Sequence, residues 1–88
     1  MTEAAQVYMY TTAWCGYCAA ARRLLANKGI AFDDISVDGK PDLRREMEEK
    51  SGGHTVPQIF INDKPVGGYD DIAELDKLGE LDTLLGLN

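Results

Sequence analysis

The first part of the chain contains an apolar run that is followed by a helical pattern. Val7–Thr11 is apolar on both faces, which is typical of a strand buried in a parallel sheet. From Cys15 to Lys28 apolar residues recur every three or four positions, which predicts a helix with one buried face. Gly29 suits the left-handed conformation that ends such a helix. We therefore expect a strand that turns directly into a helix.

A second strand and helix are predicted in the middle of the chain. Phe32–Val37 has the alternation of a strand that is buried on one face. Pro41 suits the first position of a helix, and the charged residues that follow form pairs four positions apart. We predict a helix that faces solvent on most sides, with Met47 directed inward and its end near Ser51.

The last third of the chain begins with a hairpin pattern. Gln58–Ile61 predicts a strand, Asn62–Lys64 a reverse turn, and Pro65–Val66 a short returning strand before two glycines. Because the earlier strands are joined through helices and this turn is tight, parallel and antiparallel pairs occur together. The sequence therefore predicts an α/β fold with a mixed sheet.

Two further helices are predicted after the glycines. The first begins at Asp70 or Asp71, where Asp71 and Glu74 have the spacing of a capping box, and it ends at Leu78. Glu80–Leu85 predicts a short final helix.

Length, charge and cysteine number exclude several classes of protein. With 88 residues, the chain is expected to form one domain spanning residues 1–88. The net charge of −6 and the scattered basic residues argue against nucleic-acid binding, and no segment approaches the roughly 20 apolar residues of a membrane span. The 2 cysteines are too few for a disulfide framework and the first residues do not resemble a signal peptide. We expect a cytoplasmic monomer.

The two cysteines are the strongest chemical signal in the chain. Cys15 and Cys18 lie where the first strand becomes a helix, and free amides at a helix N-terminus favour a thiolate over a thiol. A disulfide at this spacing fits best with Cys15 at the N-cap and Cys18 in the first turn. The pair could instead be two buried apolar residues, and a zinc site with His54 would lack a fourth ligand.

Three segments of the chain stand out by their order and spacing: Cys15–Cys18, Thr55–Pro57 and Gly67–Asp71. Together they resemble the small dithiol glutaredoxins over about residues 5–85. The resemblance implies a thioredoxin-like fold with a four-stranded mixed sheet of order 2-1-3-4. It also implies a cis peptide before Pro57 and a groove that binds glutathione.

The resemblance also implies a role for each matching residue. Cys15, at the exposed end of the helix, would be the nucleophile, and Cys18, one turn further in, would be the resolving thiol. The substrates would be glutathionylated or disulfide-containing proteins, with glutathione as co-substrate. The residues implied to bind glutathione are Tyr17, Thr55, Val56, Pro57, Gly68, Tyr69, Asp70 and Asp71.

Two positions depart from the family pattern. Thr12 stands where glutaredoxins usually carry a lysine, so we expect a less depressed thiol pKa and weaker glutathione binding, unless Arg22 or Arg23 compensates. Gly16 replaces the usual proline, so we expect a looser turn. The glycine motivates an alternative function, a [2Fe–2S] cluster held by Cys15 of two chains and two glutathione thiols. Trp14 is expected either to contact partner proteins at the surface or to pack over the start of the helix.

Overall fold

The computed structural model describes residues 5–87. Strands and helices alternate through most of the chain, and a hairpin precedes the last two helices. The elements are β1 (Val7–Thr11), α1 (Gly16–Asn27), β2 (Asp33–Ser36), α2 (Pro41–Ser51), β3 (Gln58–Ile61), β4 (Lys64–Gly67), α3 (Tyr69–Lys77) and α4 (Glu80–Leu84).

The four strands form one mixed sheet in the order β2-β1-β3-β4. β1 pairs in parallel with β2 and antiparallel with β3, and β3 pairs antiparallel with β4. The predicted α/β class and strand order are therefore confirmed. β1 is a central strand of the sheet. The chain therefore leaves the sheet at Thr11, between neighbouring strands, before it enters α1.

Apolar residues are buried on both faces of the sheet, which explains the continuous apolar pattern of β1 and β3. Val7 and Met9 of β1 and Ile59 of β3 pack in one cluster with residues of α1, α3 and α4. Tyr10 and Phe60 point to the opposite face and pack with Met47 of α2. The sheet thus lies between α2 on one side and three helices on the other.

The start of α3 differs from the prediction. The helix begins at Tyr69, with Gly68 as an N-cap in extended conformation (φ −96°, ψ −164°). The carboxylate of Asp71, at the third helical position, accepts a hydrogen bond from the Gly68 N–H at 2.9 Å. The predicted cap at Asp71 with Glu74 is therefore wrong, because a residue without a side chain caps this helix and Asp71 reaches back to it.

Other boundaries shift by one or two residues. β2 is shorter than the predicted Phe32–Val37, and β4 is longer than the predicted Pro65–Val66. In residues 5–87, no helix has the length and apolar character needed to cross a bilayer.

Candidate active site

Cys15 lies at the N-cap of α1, as predicted. Its backbone is extended (φ −135°, ψ 114°), and its Sγ accepts a hydrogen bond from the Cys18 backbone N–H at 3.3 Å. The Cys15 carbonyl accepts from the Ala19 N–H at 3.1 Å. A sulfur in this position lies next to the free backbone amides and the partial positive charge at the helix N-terminus, and both favour the thiolate.

The two cysteines differ in exposure. Both are free thiols; Cys15 is partly exposed, whereas Cys18 is completely buried with 0% exposure. The more accessible sulfur is therefore the one at the helix terminus.

The same environment separates the pKa values of the two thiols. Burial raises the pKa of Cys15, but hydrogen bonds from the Cys18 thiol, the amides of Cys18 and Tyr17, and the Thr12 hydroxyl outweigh it and hold the pKa below its ordinary value. Burial, reinforced by the hydrogen bond with Cys15, raises the pKa of Cys18 to about 11. The pair therefore consists of one thiol that ionises more readily than an ordinary cysteine and one that stays protonated at neutral pH.

The peptide bond between Val56 and Pro57 is cis, as the resemblance implied. The bend brings the Val56 carbonyl within 3.7 Å of Cys15 Sγ, which donates to it in the thiol form. The edge of the backbone at Val56 is therefore next to the reactive sulfur.

A groove of about 410 Å³ lies beside this pair of residues. Tyr17 of α1 contributes one wall, the loop before β3 another, and the start of α3 the third. The residues that line it are Tyr17, Thr55, Val56, Pro57, Gln58, Gly67, Gly68, Tyr69, Asp70 and Asp71. The structure thus brings together all eight residues that the resemblance implied for glutathione.

Gly67 and Gly68 let the start of α3 approach the cis proline. Gly67 has φ +106°, and a Cβ there would lie 2.2 Å from Asp71 Oδ2. A Cβ on Gly68 would lie 3.3 Å from the Pro57 carbonyl oxygen. Both positions favour glycine, the first because of backbone conformation and space, the second because of close packing.

Comparison with known proteins agrees with this geometry. Residues 7–66 match the family model described as glutaredoxin. The chain belongs to the glutaredoxin family. It is 53% identical over 79 residues to a glutaredoxin of Pseudomonas aeruginosa, a match that covers 90% of this chain and 94% of the relative. As a member of this family, the chain is a thiol–disulfide oxidoreductase.

Solved structures of glutaredoxins show the same thioredoxin-like fold. The solution structure of a Brucella melitensis glutaredoxin superposes with a TM-score of 0.84 at 48% identity, covering 96% of this chain and 91% of that one. The crystal structure of a buckwheat glutaredoxin–glutathione complex has a TM-score of 0.84 at 27% identity, covering 92% and 76% of the two chains.

Two of the residues that line the groove were not among the predicted glutathione-binding residues. Gln58 is buried, and its Nε2 donates to the Thr55 hydroxyl at 3.3 Å. The signal for it was a polar residue at the start of an otherwise apolar strand. Gly67 was expected, with Gly68, to let the chain pass close to the ligand, but not to line the groove itself; its positive φ and its closeness to Asp71 shape the groove.

Arg22, which interacts electrostatically with both cysteines, has two defined partners. Its Nε contacts Asp34 Oδ2 at 2.5 Å and its Nη2 donates to the Thr11 hydroxyl at 3.0 Å. The hydrogen bond with Asp34 is the main cause that raises the pKa of Arg22, and the charges of Cys18 and Cys15 add to it. The cation on which the charges of both cysteines act is thus already paired with a carboxylate.

The remaining candidates lie at the surface. Trp14 is 98% exposed, so it does not cover the start of α1. His54 is exposed, and its carbonyl accepts from Arg44 Nη2 at 2.7 Å. No group of three or more His, Cys, Asp or Glu residues between positions 5 and 87 has the arrangement of a metal site.

Proposed function

We propose that this chain is a glutathione-dependent oxidoreductase that reduces glutathione mixed disulfides and protein disulfides. Cys15 acts as the nucleophile and Cys18 as the resolving thiol. The observation that carries the proposal is the position of Cys15 Sγ, at the N-terminus of α1 and 3.7 Å from the Val56 carbonyl at the edge of the groove. A relative from buckwheat has been solved as a complex with glutathione, which supports the choice of ligand.

Each part of the groove matches a part of glutathione. The backbone of Val56, turned by the cis bond, is placed to pair with the cysteinyl backbone of the tripeptide like an added strand. The free amides at the start of α3, around Tyr69 and Asp70, suit the γ-glutamyl carboxylate. The exposed carboxylate of Asp70 suits its ammonium group. Thr55, Pro57, Gly68 and Asp71 complete the walls, and Tyr17 closes the side nearest α1.

In the first half of the reaction, the Cys15 thiolate attacks the glutathione sulfur of a mixed disulfide. A bond forms between Cys15 and glutathione, the original S–S bond breaks, and the departing thiolate takes up a proton. A second glutathione thiolate then attacks the mixed disulfide on Cys15. Oxidised glutathione leaves and the Cys15 thiolate is restored.

Cys18 serves the reduction of protein disulfides. Cys15 first forms a mixed disulfide with the substrate, and Cys18, after losing its proton, displaces the substrate to form the Cys15–Cys18 disulfide. Two glutathione molecules then reduce that disulfide. We place the reaction in the cytoplasm, where glutathione supplies the electrons.

Two variants test this assignment of roles. Cys15→Ser is expected to reduce turnover of a glutathione mixed disulfide to background. Cys18→Ser is expected to retain that turnover and to lose most of its activity on a protein disulfide. Activity of the first variant, or inactivity of the second with the mixed disulfide, would show that the roles are wrongly assigned.

A [2Fe–2S] cluster between two chains is the second candidate function. It is favoured by the open space around Gly16, where a Cβ would have no neighbour within 4 Å. One chain offers a single accessible thiolate, so Cys15 of a second chain and two glutathione thiols would complete the ligands. Anaerobic purification with glutathione tests this candidate. A brown, iron-containing dimer would support it, and a colourless, iron-free monomer would refute it.

A further inference from the structure

Trp14 is a large aromatic side chain that stands in solvent beside the nucleophile. It is 98% exposed, whereas tryptophan is on average a highly buried residue. It is bonded directly to Cys15 and contributes nothing to the core. Trp and Tyr side chains are enriched among the residues that dominate binding energy at protein interfaces.

The backbone on both sides of Trp14 is held in place. The N–H of Ala13 donates to Asp38 Oδ2 at 2.7 Å, which ties the loop to the segment after β2. On the other side, Cys15 is fixed as the N-cap of α1. Because the backbone is already ordered, contact with a partner adds no cost for ordering this loop, and the local entropy lost is that of the indole side chain. Trp14 is therefore suited to anchor a partner.

Trp14 does not line the groove, whereas Tyr17 does. If glutathione occupies the groove, the remainder of a glutathionylated protein must lie on the surface outside it. Trp14 is the aromatic side chain at that surface next to Cys15. It therefore faces the protein part of the substrate rather than the glutathione part.

The charge around Trp14 indicates which polypeptides it favours. The carboxylate of Asp38 lies beside the Trp14 loop, and Asp70 and Asp71 lie in the groove. Arg22 is paired with Asp34. The net charge of the chain is −6. These charges, together with the negative face of the indole ring, favour a positively charged segment over an acidic one.

We propose that Trp14 determines specificity for protein substrates by contacting a lysine or arginine beside the substrate's reactive cysteine. The inference rests on the proposed function and names its substrate class. Cys15 forms the new bond with the glutathione sulfur, the peptide–glutathione bond breaks, and the peptide thiolate takes up a proton. Trp14 contacts the peptide and takes no part in the exchange of bonds.

Three substrates test the inference in the full chain. One is a glutathionylated peptide with lysine next to its cysteine, the second has glutamate in place of the lysine, and the third is the mixed disulfide of glutathione with 2-mercaptoethanol. Trp14→Ala is expected to lower kcat/KM for the lysine peptide about two- to five-fold, the range for loss of an exposed cation–π contact. The other two substrates are expected to react unchanged. Trp14→Phe should recover part of the loss.

Leu78→Ala is the matched control, because it removes another exposed apolar side chain, 61% exposed, at the end of α3. It should leave all three rates unchanged. An unchanged rate of Trp14→Ala with the lysine peptide would overturn the inference, as would an equal fall with both peptides or with all three substrates. If the unaltered chain fails to turn over the mercaptoethanol substrate, the proposed function itself is wrong and the inference falls with it.

Discussion

The backbone nitrogen of Cys18 lies 3.3 Å from the Sγ of Cys15 and donates a hydrogen bond to it. This contact couples the two cysteines before any disulfide forms. It stabilises negative charge on the exposed sulfur, while burial raises the pKa of Cys18 to about 11. The start of the helix therefore shifts the pKa values of two identical side chains in opposite directions.

Thr12 contributes a neutral donor to this environment. Its hydroxyl is among the hydrogen-bonding groups that hold the pKa of Cys15 down against burial, which is the largest influence and raises it. Thr12→Val removes the hydroxyl and nearly keeps the shape. We expect alkylation of Cys15 by iodoacetamide at pH 7 to slow by about two- to ten-fold, as for loss of one hydrogen bond. An unchanged rate would exclude a role for the hydroxyl.

Thr12→Lys tests the same position with a cation. A positive charge near the thiolate lowers its pKa further, so Cys15 should be alkylated faster at pH 7 and the effect should weaken as salt is raised. Alkylation rates at two ionic strengths measure both the acceleration and its dependence on salt. A rate equal to that of the unaltered chain at low salt would show that residue 12 does not act on the sulfur electrostatically.

Gly16→Pro is expected to stabilise the fold. Gly16 is the first residue of α1, where proline is well tolerated, and Cys15 before it already has the extended backbone that a following proline requires. A Cβ at Gly16 would meet nothing within 4 Å. The free energy of unfolding should rise by about 0.5–1 kcal/mol, measured by urea denaturation. A loss of stability would show that the turn needs the freedom of glycine.

Gly67→Ala is expected to distort the groove. Its φ of +106° strains a side chain, and the new Cβ would lie 2.2 Å from Asp71 Oδ2, so the Asp71 carboxylate that accepts from Gly68 must shift. We expect a loss of about 2–4 kcal/mol of stability and weaker glutathione binding.

Gly39→Ala is the control, since Gly39 also has a positive φ (+64°) but its Cβ would meet nothing within 4 Å. It should cost about 1–2 kcal/mol and leave glutathione affinity unchanged. Equal losses of stability for the two variants would contradict the contact with Asp71.

The Arg22–Asp34 pair is expected to make stability depend on pH. Burial raises the pKa of Asp34, but Arg22 and Thr11 outweigh it and lower the pKa below its ordinary value. The stabilisation is therefore fully present above the unfolded-state pKa of about 3.9 and is lost as pH falls through the folded-state value. The side chains of Arg22 and Asp34 are 32% and 34% exposed, so solvent screening limits the effect to about 1 kcal/mol.

Asp34→Asn tests this pair. The variant should be about 1 kcal/mol less stable than the unaltered chain at pH 7, and the difference should shrink toward pH 2–3. Arg23→Gln, at an exposed neighbouring position, is the control and should change stability by less than about 0.5 kcal/mol. A difference for Asp34→Asn that is the same at both pH values would contradict the ion pair.

The fold was largely predictable because buried faces require apolar residues at regular positions in the sequence. Val7–Thr11 is apolar on both faces since helices cover both sides of the sheet, and the spacing of the cysteines placed Cys15 at an N-cap. Other features depend on contacts that local pattern does not encode. Arg22 and Asp34 are distant in sequence, and either could have faced solvent.

Two features of the site illustrate this limit. Gly68 caps α3 without a side chain, so the spacing of Asp71 and Glu74 suggested a later start. The cis bond at Val56–Pro57 was expected only from the resemblance to a family, because few X–Pro bonds are cis. The groove forms where these two features meet, so most of its residues were predicted through the resemblance to a family and not from local pattern.

The pH dependence of Cys15 alkylation tests the central claim most directly. Mass spectrometry of the alkylated chain separates modification of Cys15 from that of Cys18. The account predicts that Cys15 reacts with a midpoint below that of an unperturbed cysteine, while Cys18 stays unmodified through neutral pH. A midpoint of Cys15 at or above the unperturbed value, or equal modification of both thiols at neutral pH, would contradict it.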